Sequence, residues 1–330
     1  MKIVLVSMVL GLGVGIVWGY SAPVAAQSVP SYYPQHALRL VVPLAPGGGN
    51  DTIARLVAQK ITPLLGQQVI VDNHAGAGGL IAAEMVARAA SDGYTLLLAN
   101  VAVMTIIPNA QKKVPYDPLN DFEPICWIAS APLLVVVHPS LPVRSVRQLI
   151  DLARARPGLI NYASNGVGSS THLATEMFSA MASIKLSHVH YKGLSLAMTD
   201  LMGGQVPLMF SSAMAMLPHV KQGKLRAIAM TGAKRVALLA EIPTVAESGL
   251  KGYESGSWYG IVAPAQTPGP IIERLNREIV KVVQSPEVQD RLNREAVNPV
   301  GSSAAVFKTY IKTEYNRMST LIRQVNIVLD

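Results

Sequence analysis

Cysteine and aromatic residues are scarce in this chain, and their scarcity argues against several kinds of protein. Cys126 is the only cysteine among 330 residues, so no disulfide can form within the chain. It lies in the apolar run 125–128, where a small buried side chain is expected. Aromatic residues make up only 5%, and the 28 Lys and Arg residues are scattered rather than clustered. This pattern gives little support to nucleic-acid binding.

Several catalytic motifs are also missing. The sequence contains no P-loop, no G-x-S-x-G nucleophile elbow and no H-E-x-x-H metal motif. His188 and His190 alternate along one predicted strand and, with His172, could suggest a metal site, but no Cys cluster accompanies them. Ser169, His172 and Asp200 could be arranged as a hydrolase triad, as any chain of this length permits. We therefore expect no catalysis, no cofactor and no metal.

The first 26 residues have the three parts of a secretory signal peptide. Lys2 precedes an apolar run from Ile3 to Tyr20, and small residues follow with a Val24-x-Ala26 cleavage pattern. Four glycines in the apolar run weaken the alternative, which is an uncleaved membrane helix. We predict cleavage after Ala26 and export of the mature protein to the periplasm.

Composition and length favour a globular protein with two lobes. Half of the residues are hydrophobic and 15% are charged, which is a globular composition. The roughly 300 residues left after cleavage exceed one typical core. The formal net charge of +8 would attract small anions, or would simply keep the protein in solution.

Short β-type runs alternate with amphipathic helical stretches from residue 38 onward, a pattern typical of parallel α/β sheets. A loop rich in Pro, Asn and Asp at 108–124 separates two such series. The predicted strands are 38–43, 69–71, 95–98, 125–129, 133–137, 160–163, 187–190, 206–210, 227–231 and 259–263. The predicted helices are 52–64, 80–90, 146–156, 171–181, 195–202 and a helical region from 270 onward. The first lobe is predicted as 27–131 with 250–330, and the second as 132–249.

Two glycine-rich loops in the first lobe each connect a strand to a helix. They are Pro46-Gly47-Gly48-Gly49-Asn50-Asp51 and Gly76-Ala77-Gly78-Gly79. Glycine lets the backbone approach a ligand, and a helix start offers unpaired N–H donors, so both loops could bind an anion. The alternative is an ordinary tight turn in which Asn50 or Asp51 caps the helix.

The magnitude of these interactions predicts a ligand held between lobes. A helix terminus contributes about 0.3–1 kcal/mol at a surface and up to ~2 kcal/mol when partly buried. Micromolar binding requires roughly 8 kcal/mol, so two helix starts are insufficient alone. The second lobe offers small hydroxyl and glycine residues at 164–171 and the loop Tyr191-Lys192-Gly193. Lys192 could pair with an anion or be solvated.

Many ordered blocks of the chain match one known family. The blocks are residues 43–51, 54–55, 66–67, 73, 76–79, 92–97, 114–118, 121–122, 164–173, 191–193, 200–201, 203–206, 223–227, 243–245, 258 and 260. With these blocks, the sequence resembles the Bug (TctC-like) family of extracytoplasmic solute receptors over nearly all of the mature chain.

The resemblance implies an α/β fold of the type 2 periplasmic-binding protein, in which two lobes close on a ligand like a Venus flytrap. It implies a monomeric receptor that captures a small carboxylate, either a di- or tricarboxylate or an aromatic acid. The implied partners are the permease subunits of a tripartite tricarboxylate transporter. A ligand sensor acting with a histidine kinase, or a secreted hydrolase, remains an alternative.

Positions that match the family carry the implied ligand contacts. In the first lobe these are Pro46, Gly47, Gly48, Gly49, Asn50, Asp51, Gly76, Ala77, Gly78 and Gly79. In the second lobe they are Ser164, Asn165, Gly168, Ser169, Ser170, Thr171, Tyr191 and Gly193.

The chain also departs from the family pattern near the second-lobe rim. His190 stands where proline is frequent, and Pro207 and Ser211 hold positions often occupied by aspartate. Ser169 replaces the usual threonine, which is a mild change. These departures leave the identity of the acid open.

Overall fold

The computed structural model describes residues 33–324, which form two α/β lobes built on two separate sheets. The predicted signal peptide, residues 1–26, lies outside the described residues. The strands are β1 (Leu38–Val42), β2 (Val69–Asn73), β3 (Thr95–Asn100), β4 (Phe122–Ala131), β5 (Leu133–Val137), β6 (Asn161–Ser164), β7 (Ser187–His190), β8 (Leu208–Ser212), β9 (Arg226–Met230), β10 (Ser257–Pro264) and β11 (Asn298–Pro299).

Ten α-helices within residues 33–324 surround these sheets, and five of them begin and end within three residues of a predicted helix. The helices are α1 (Gly49–Leu65), α2 (Leu80–Ala87), α3 (Ile107–Ala110), α4 (Val146–Ala155), α5 (Ser170–Ala182), α6 (Leu194–Met202), α7 (Ala213–Lys221), α8 (Gly269–Gln284), α9 (Pro286–Arg294) and α10 (Ala304–Gln324). None of the helices within 33–324 is both long and apolar enough to cross a membrane.

The first sheet has the strand order β11-β4-β10-β3-β1-β2. Strands β2, β1 and β3 run parallel, while β10 pairs antiparallel with β3 and β4. The buried face of α1 explains why this helix packs here: Ile53, Leu56, Val57 and Ile61 follow the helical period and are all buried. Gly66 ends α1 in the left-handed conformation that favours glycine.

The second sheet has the order β7-β6-β8-β5-β9, with β7, β6 and β8 parallel. The chain leaves the first sheet at Ala131, enters the second at Leu133, and returns between Met230 and Ser257. These crossing segments bond to each other, since the Leu133 N–H donates to the Thr231 hydroxyl at 2.7 Å. The two lobes are therefore joined by paired backbone rather than by one flexible linker.

The structure corrects the sequence prediction in three places. The predicted loop at 108–124 begins later, because residues 102–110 form a wide helical turn that continues into α3. Helix α7 was not predicted, since Pro218 interrupts an already short apolar pattern. The helical region after residue 270 is three helices, because Pro286 starts α9 and β11 separates α9 from α10.

The parallel strands of both sheets end at the space between the lobes. Loops after β1, β2, β6 and β7 all contribute to one cleft there. This is the position where open α/β sheets bind ligands. Cys126 does not line this cleft. It is buried in β4, and burial raises the pKa of its thiol to about 12.

Candidate functional site

A cleft of about 410 Å³ lies between the two lobes. Its first-lobe walls are residues 44–45, 48–50 and 75–78, and its second-lobe walls are residues 165–167 and 190–194. Both glycine-rich loops and both predicted second-lobe loops therefore meet at one cavity. This size accommodates a small organic molecule but not a macromolecular segment.

The first glycine-rich loop presents the start of α1 to the cleft. Gly48 is the N-cap in an extended conformation, without a side-chain capping bond, so the alternative in which Asn50 or Asp51 caps the helix is wrong. The Asn50 carboxamide oxygen instead accepts a 2.8 Å hydrogen bond from Asn100. The first N–H groups of α1, beginning at Gly49, have no partner within the helix and point toward the cleft end of the loop.

Asp51 supports this loop from behind instead of facing the cleft. Its carboxylate accepts the Gly47 N–H at 3.1 Å and pairs with Arg55 at 3.0 Å. Desolvation raises the pKa of Asp51, but the bonds from Arg55 and Gly47 outweigh it and hold the pKa below its ordinary value. The carboxylate therefore stays charged and bound to its own loop.

The second glycine-rich loop is a tight turn that glycine makes possible. Gly76, Gly78 and Gly79 all have positive φ, and the Gly79 N–H donates to the Gly76 carbonyl at 2.8 Å. Gly79 packs inward: a Cβ there would lie 2.7 Å from Val103 and 2.8 Å from Pro43. Gly79 thus fixes the turn, while Gly76, Ala77 and Gly78 line the cleft.

The two lobes come into direct contact at glycines of these loops. A Cβ on Gly78 would lie 2.8 Å from the Val167 carbonyl oxygen, across the cleft. A Cβ on Gly193 of the second lobe would lie 3.0 Å from Ala45 of the first lobe. The described conformation is therefore one in which the lobes have closed against each other.

Hydroxyl groups of the second-lobe loop stabilise its backbone and do not line the cleft. Ser164 Oγ accepts the Gly166 N–H, and Thr171 Oγ1 accepts the Asn165 N–H at 3.0 Å. Ser169 caps α5 by accepting the His172 N–H. These three side chains are almost fully buried, so they hold the loop backbone that forms the cleft wall and do not face the cleft themselves.

Half of the predicted site residues lie at the cleft. Those that line it are Gly48, Gly49, Asn50, Gly76, Ala77, Gly78, Asn165, Tyr191 and Gly193. Those that do not line it are Pro46, Gly47, Asp51, Gly79, Ser164, Gly168, Ser169, Ser170 and Thr171. Direct ligand contact by any of them stays a prediction.

Several residues that line the cleft were not among the predicted ligand contacts. They are Leu44, Ala45, Ala75, Gly166, Val167, His190, Lys192 and Leu194. Gly166, Val167 and Lys192 lie inside the predicted loops, and the other five lie within one or two residues of a loop, so slightly longer loops would have included them.

Asn165 places an unpaired polar group at the cleft. Its side-chain oxygen is buried and has no hydrogen-bond partner among the described residues. Buried amide groups in folded proteins normally have partners. The oxygen and nitrogen of such an amide can exchange places by rotation, so a ligand with either a donor or an acceptor could pair with it.

Two histidines and a tyrosine form a layered cluster behind this wall. The rings of His172 and His188 stack at 4.0 Å with an interplanar angle of 12°, and Tyr162 stacks on His188 at 4.9 Å. His172 Nδ1 accepts the Gly168 N–H, and His188 Nε2 is 2.7 Å from Ser164 Oγ. Stacked rings direct their nitrogens away from a common point, so this arrangement does not suit a shared metal ion.

The hydrolase alternative also finds no support in these contacts. His172 bonds the loop backbone through Nδ1, and Ser169 donates to the Gly166 carbonyl at 2.7 Å. Asp200 accepts the Tyr191 hydroxyl at 2.6 Å instead of approaching either residue. Burial, together with the bond to Asp200, raises the pKa of Tyr191 to about 12.

Acidification is expected to destabilise the protein through His172 and His188. Burial, then neighbouring histidine charge, lowers the pKa of His172 from 6.5 to about 3, and the same causes lower that of His188 to about 4. Above the histidine pKa of the unfolded chain, both rings are neutral in the folded and in the unfolded protein, so the free energy of unfolding does not depend on pH through them. Below that pKa only the unfolded chain binds these protons. The free energy of unfolding therefore falls by up to about 1.4 kcal/mol per pH unit for the buried His172.

Urea unfolding between about pH 4.5 and 7.5 would measure this slope. His172→Gln keeps an acceptor for the Gly168 N–H but cannot titrate, so its stability should fall less steeply with acid than that of the wild type. His36→Gln, at an exposed histidine of the first lobe, is the matched control and should keep the wild-type slope. Equal slopes for wild type and His172→Gln would contradict this assignment.

Residues 53–327 match the model of the tripartite tricarboxylate transporter family receptor, TctC. The chain belongs to this family. The match covers the glycine-rich turn at 76–79, both second-lobe loops and all of the described helices from α2 onward.

Relatives and solved structures agree with this membership. The receptor is 34% identical over 312 residues to protein BugT of Bordetella pertussis, which covers 94% of each chain. Its structure is similar to that of Rhodopseudomonas palustris Rpa4515 with adipate, with a TM-score of 0.86, 35% identity and coverage of 90% and 99% of the two chains.

A second similar structure is MatC from Rhodopseudomonas palustris with bound malate. Its TM-score is 0.84 at 28% identity, and the match covers 88% of this receptor and all of MatC. The predicted family and the two-lobe periplasmic-binding fold are therefore confirmed. The family is one of periplasmic solute-binding receptors.

Proposed function

We propose that this receptor captures a small carboxylate in the cleft between its lobes and delivers it to the permease subunits of a tripartite tricarboxylate transporter. It is exported to the periplasm by the signal sequence at 1–26. Binding is reversible and involves no covalent chemistry.

The observation that carries the proposal is the set of donors at the first-lobe wall. The start of α1 at 48–50 and the positive-φ turn at 76–78 both border the cleft. Backbone N–H groups at a helix start favour an anion because they are preorganised and carry the positive end of the helix dipole. No Asp or Glu is among the described residues that line the cleft, so nothing there would repel a carboxylate.

Closure of the second lobe supplies the remaining binding energy in this proposal. Helix starts provide a few kcal/mol at most, and micromolar affinity requires roughly 8 kcal/mol. Residues 165–167 and 190–194 cover the acid and exclude water, which strengthens each polar contact inside. The adipate and malate found in the two similar structures support an acid of comparable size.

A thermal-shift screen of carboxylates against the mature protein tests the proposal. A true ligand at a hundredfold excess over its Kd should stabilise the folded state by about 2.7 kcal/mol, which raises Tm by several degrees. Matched neutral amides of the same acids serve as controls and should give no shift. A screen in which a neutral sugar shifts Tm while every acid fails would overturn the proposed function.

A further inference from the structure

The cleft carries its Lys and His side chains on one side only. Among the described residues that line it, the first lobe contributes no Lys, Arg or His. The second lobe contributes His190 and Lys192, which flank Tyr191 at the end of β7. A ligand between the lobes would therefore meet neutral backbone donors at one end, and the His190 imidazole and the Lys192 ammonium at the other.

Neither of these two side chains is used by the fold. His190 and Lys192 form no hydrogen bond or ion pair with the side chain of any other described residue, although the His190 ring lies 6.1 Å from that of His188. The nearby carboxylate of Asp200 is bound to the Tyr191 hydroxyl at 2.6 Å. Both side chains are exposed and thus available to a ligand, and no carboxylate of the described residues pairs with the Lys192 ammonium.

The described wall also offers nothing to an ammonium group. No Asp or Glu lines the cleft within residues 33–324, and Asp51 behind the first loop is already paired with Arg55. An amino group on the ligand would lose its hydration without gaining a carboxylate partner, and it would share the cleft with Lys192. Burying an unpaired charge is costly, and like charges that share a site repel each other.

We infer that His190 and Lys192 determine ligand specificity, so that the receptor selects acids carrying a second anionic group and no amino group. This inference rests on the proposed carboxylate binding and adds the chemistry of the ligand's other end. One carboxylate lies at the first-lobe N–H groups, and the second lies against the His190 ring and the Lys192 ammonium. Closure brings these two binding points together on opposite sides of one small cavity.

Two matched series of acids test the inference by calorimetric titration. The four-carbon series is succinate, succinamate and aspartate, and the six-carbon series is adipate, adipamate and 2-aminoadipate. Within each series the monoamide removes the second charge and the amino acid adds an ammonium group at constant chain length. In whichever series binds, the diacid should bind at least tenfold more tightly than either analogue.

Two variants assign the selectivity to residues. His190→Gln and Lys192→Met should each weaken diacid binding by about tenfold and change monoamide binding little. The ratio of the monoamide Kd to the diacid Kd should therefore fall in both variants. Lys224→Gln is the matched control, because it removes one positive charge from an exposed second-lobe position outside the cleft. It should leave the ratio unchanged, whereas a general field effect would lower diacid affinity in all three variants.

The possible results separate this inference from the proposed function. If diacid and monoamide bind equally, or if benzoate binds and none of the six acids does, the specificity inference fails while carboxylate capture stands. If aspartate or 2-aminoadipate binds as tightly as its diacid, the exclusion of amino groups fails. If none of these acids binds and the wider carboxylate screen is also negative, the proposed function itself fails.

Discussion

Gly78→Ala is expected to weaken carboxylate binding by at least tenfold while leaving the protein folded. The added Cβ would lie 2.8 Å from the Val167 carbonyl oxygen and 3.1 Å from Ile107. Val167 belongs to the opposite wall of the cleft, and a backbone oxygen cannot move aside as a flexible side chain can. The methyl group would hold the lobes apart, so the acid would lose contacts from the second lobe and gain water.

Backbone strain is the competing explanation, and a second glycine separates the two. Gly78 has φ of +67°, and Gly66, at the end of α1, has φ of +71° with no atom within 4 Å of an added Cβ. Alanine in this conformation costs roughly 1–2 kcal/mol at either position. Gly66→Ala should therefore lower stability to a similar degree and keep wild-type affinity.

Calorimetric Kd values for a bound acid, with Tm measured on the same samples, distinguish backbone strain from impaired lobe closure. A Gly78→Ala protein that binds as tightly as Gly66→Ala would show that the lobes do not need this close approach. Small-angle scattering offers a check without ligand, because a protein held open should have a larger radius of gyration than the wild type.

Gly260→Ala is expected to cause the largest loss of stability among substitutions of one methyl group. Gly260 lies in β10 at the centre of the first sheet, and a Cβ there would lie 2.1 Å from Phe307 and 2.9 Å from the Cys126 carbonyl oxygen. Phe307 is fully buried in α10 and packs edge-on against Trp258. Overpacking of such a site costs about 1–3 kcal/mol, and the backbone contact favours the upper end.

Relief of the same contact should restore part of the stability. In Gly260→Ala combined with Phe307→Leu, the ring atom nearest the new methyl group is absent. The double variant should therefore lose less stability than the two single variants lose in total. Urea denaturation of the four proteins in this double-mutant cycle should give a coupling of about 1 kcal/mol or more. Gly269→Ala, at the start of α8 with open space around it, is the control and should change little.

Strict additivity would contradict the assignment of the loss to Phe307. It would mean that the clash with the Cys126 carbonyl oxygen, which Phe307→Leu does not remove, accounts for the loss of stability. The cycle thus distinguishes a clash with the Phe307 ring from a clash with the neighbouring backbone.

The periodic elements of the fold were readable from the sequence because their signals are local. The burial of Ile53, Leu56, Val57 and Ile61 on α1 follows directly from their spacing. Strand β7 was predicted to the residue, and β5 likewise. Helix α7 was not readable, since tertiary packing of Met216 and Leu217 stabilises it despite Pro218.

Chain position also located the cleft, but not the direction in which its side chains point. The glycine-rich loops follow strands, and the ends of parallel strands share one edge, so their convergence was predictable. Ser164, Ser169 and Thr171 sit in the right loop and yet turn inward, because the buried N–H groups of Asn165 and its neighbours require acceptors. No local pattern distinguishes a hydroxyl that bonds its own loop from one that faces a ligand.

The sequence by itself was sufficient to show that common catalytic motifs are missing, that two glycine-rich loops precede helices, and which family the chain resembles. Those properties depend on residue type and spacing over short stretches. Only the tertiary structure decided that His190 and Lys192 line the cleft, that Gly78 approaches Val167, and that His172 and His188 stack. These contacts join residues far apart in the chain, and their geometry is set by how two separately packed sheets close on each other.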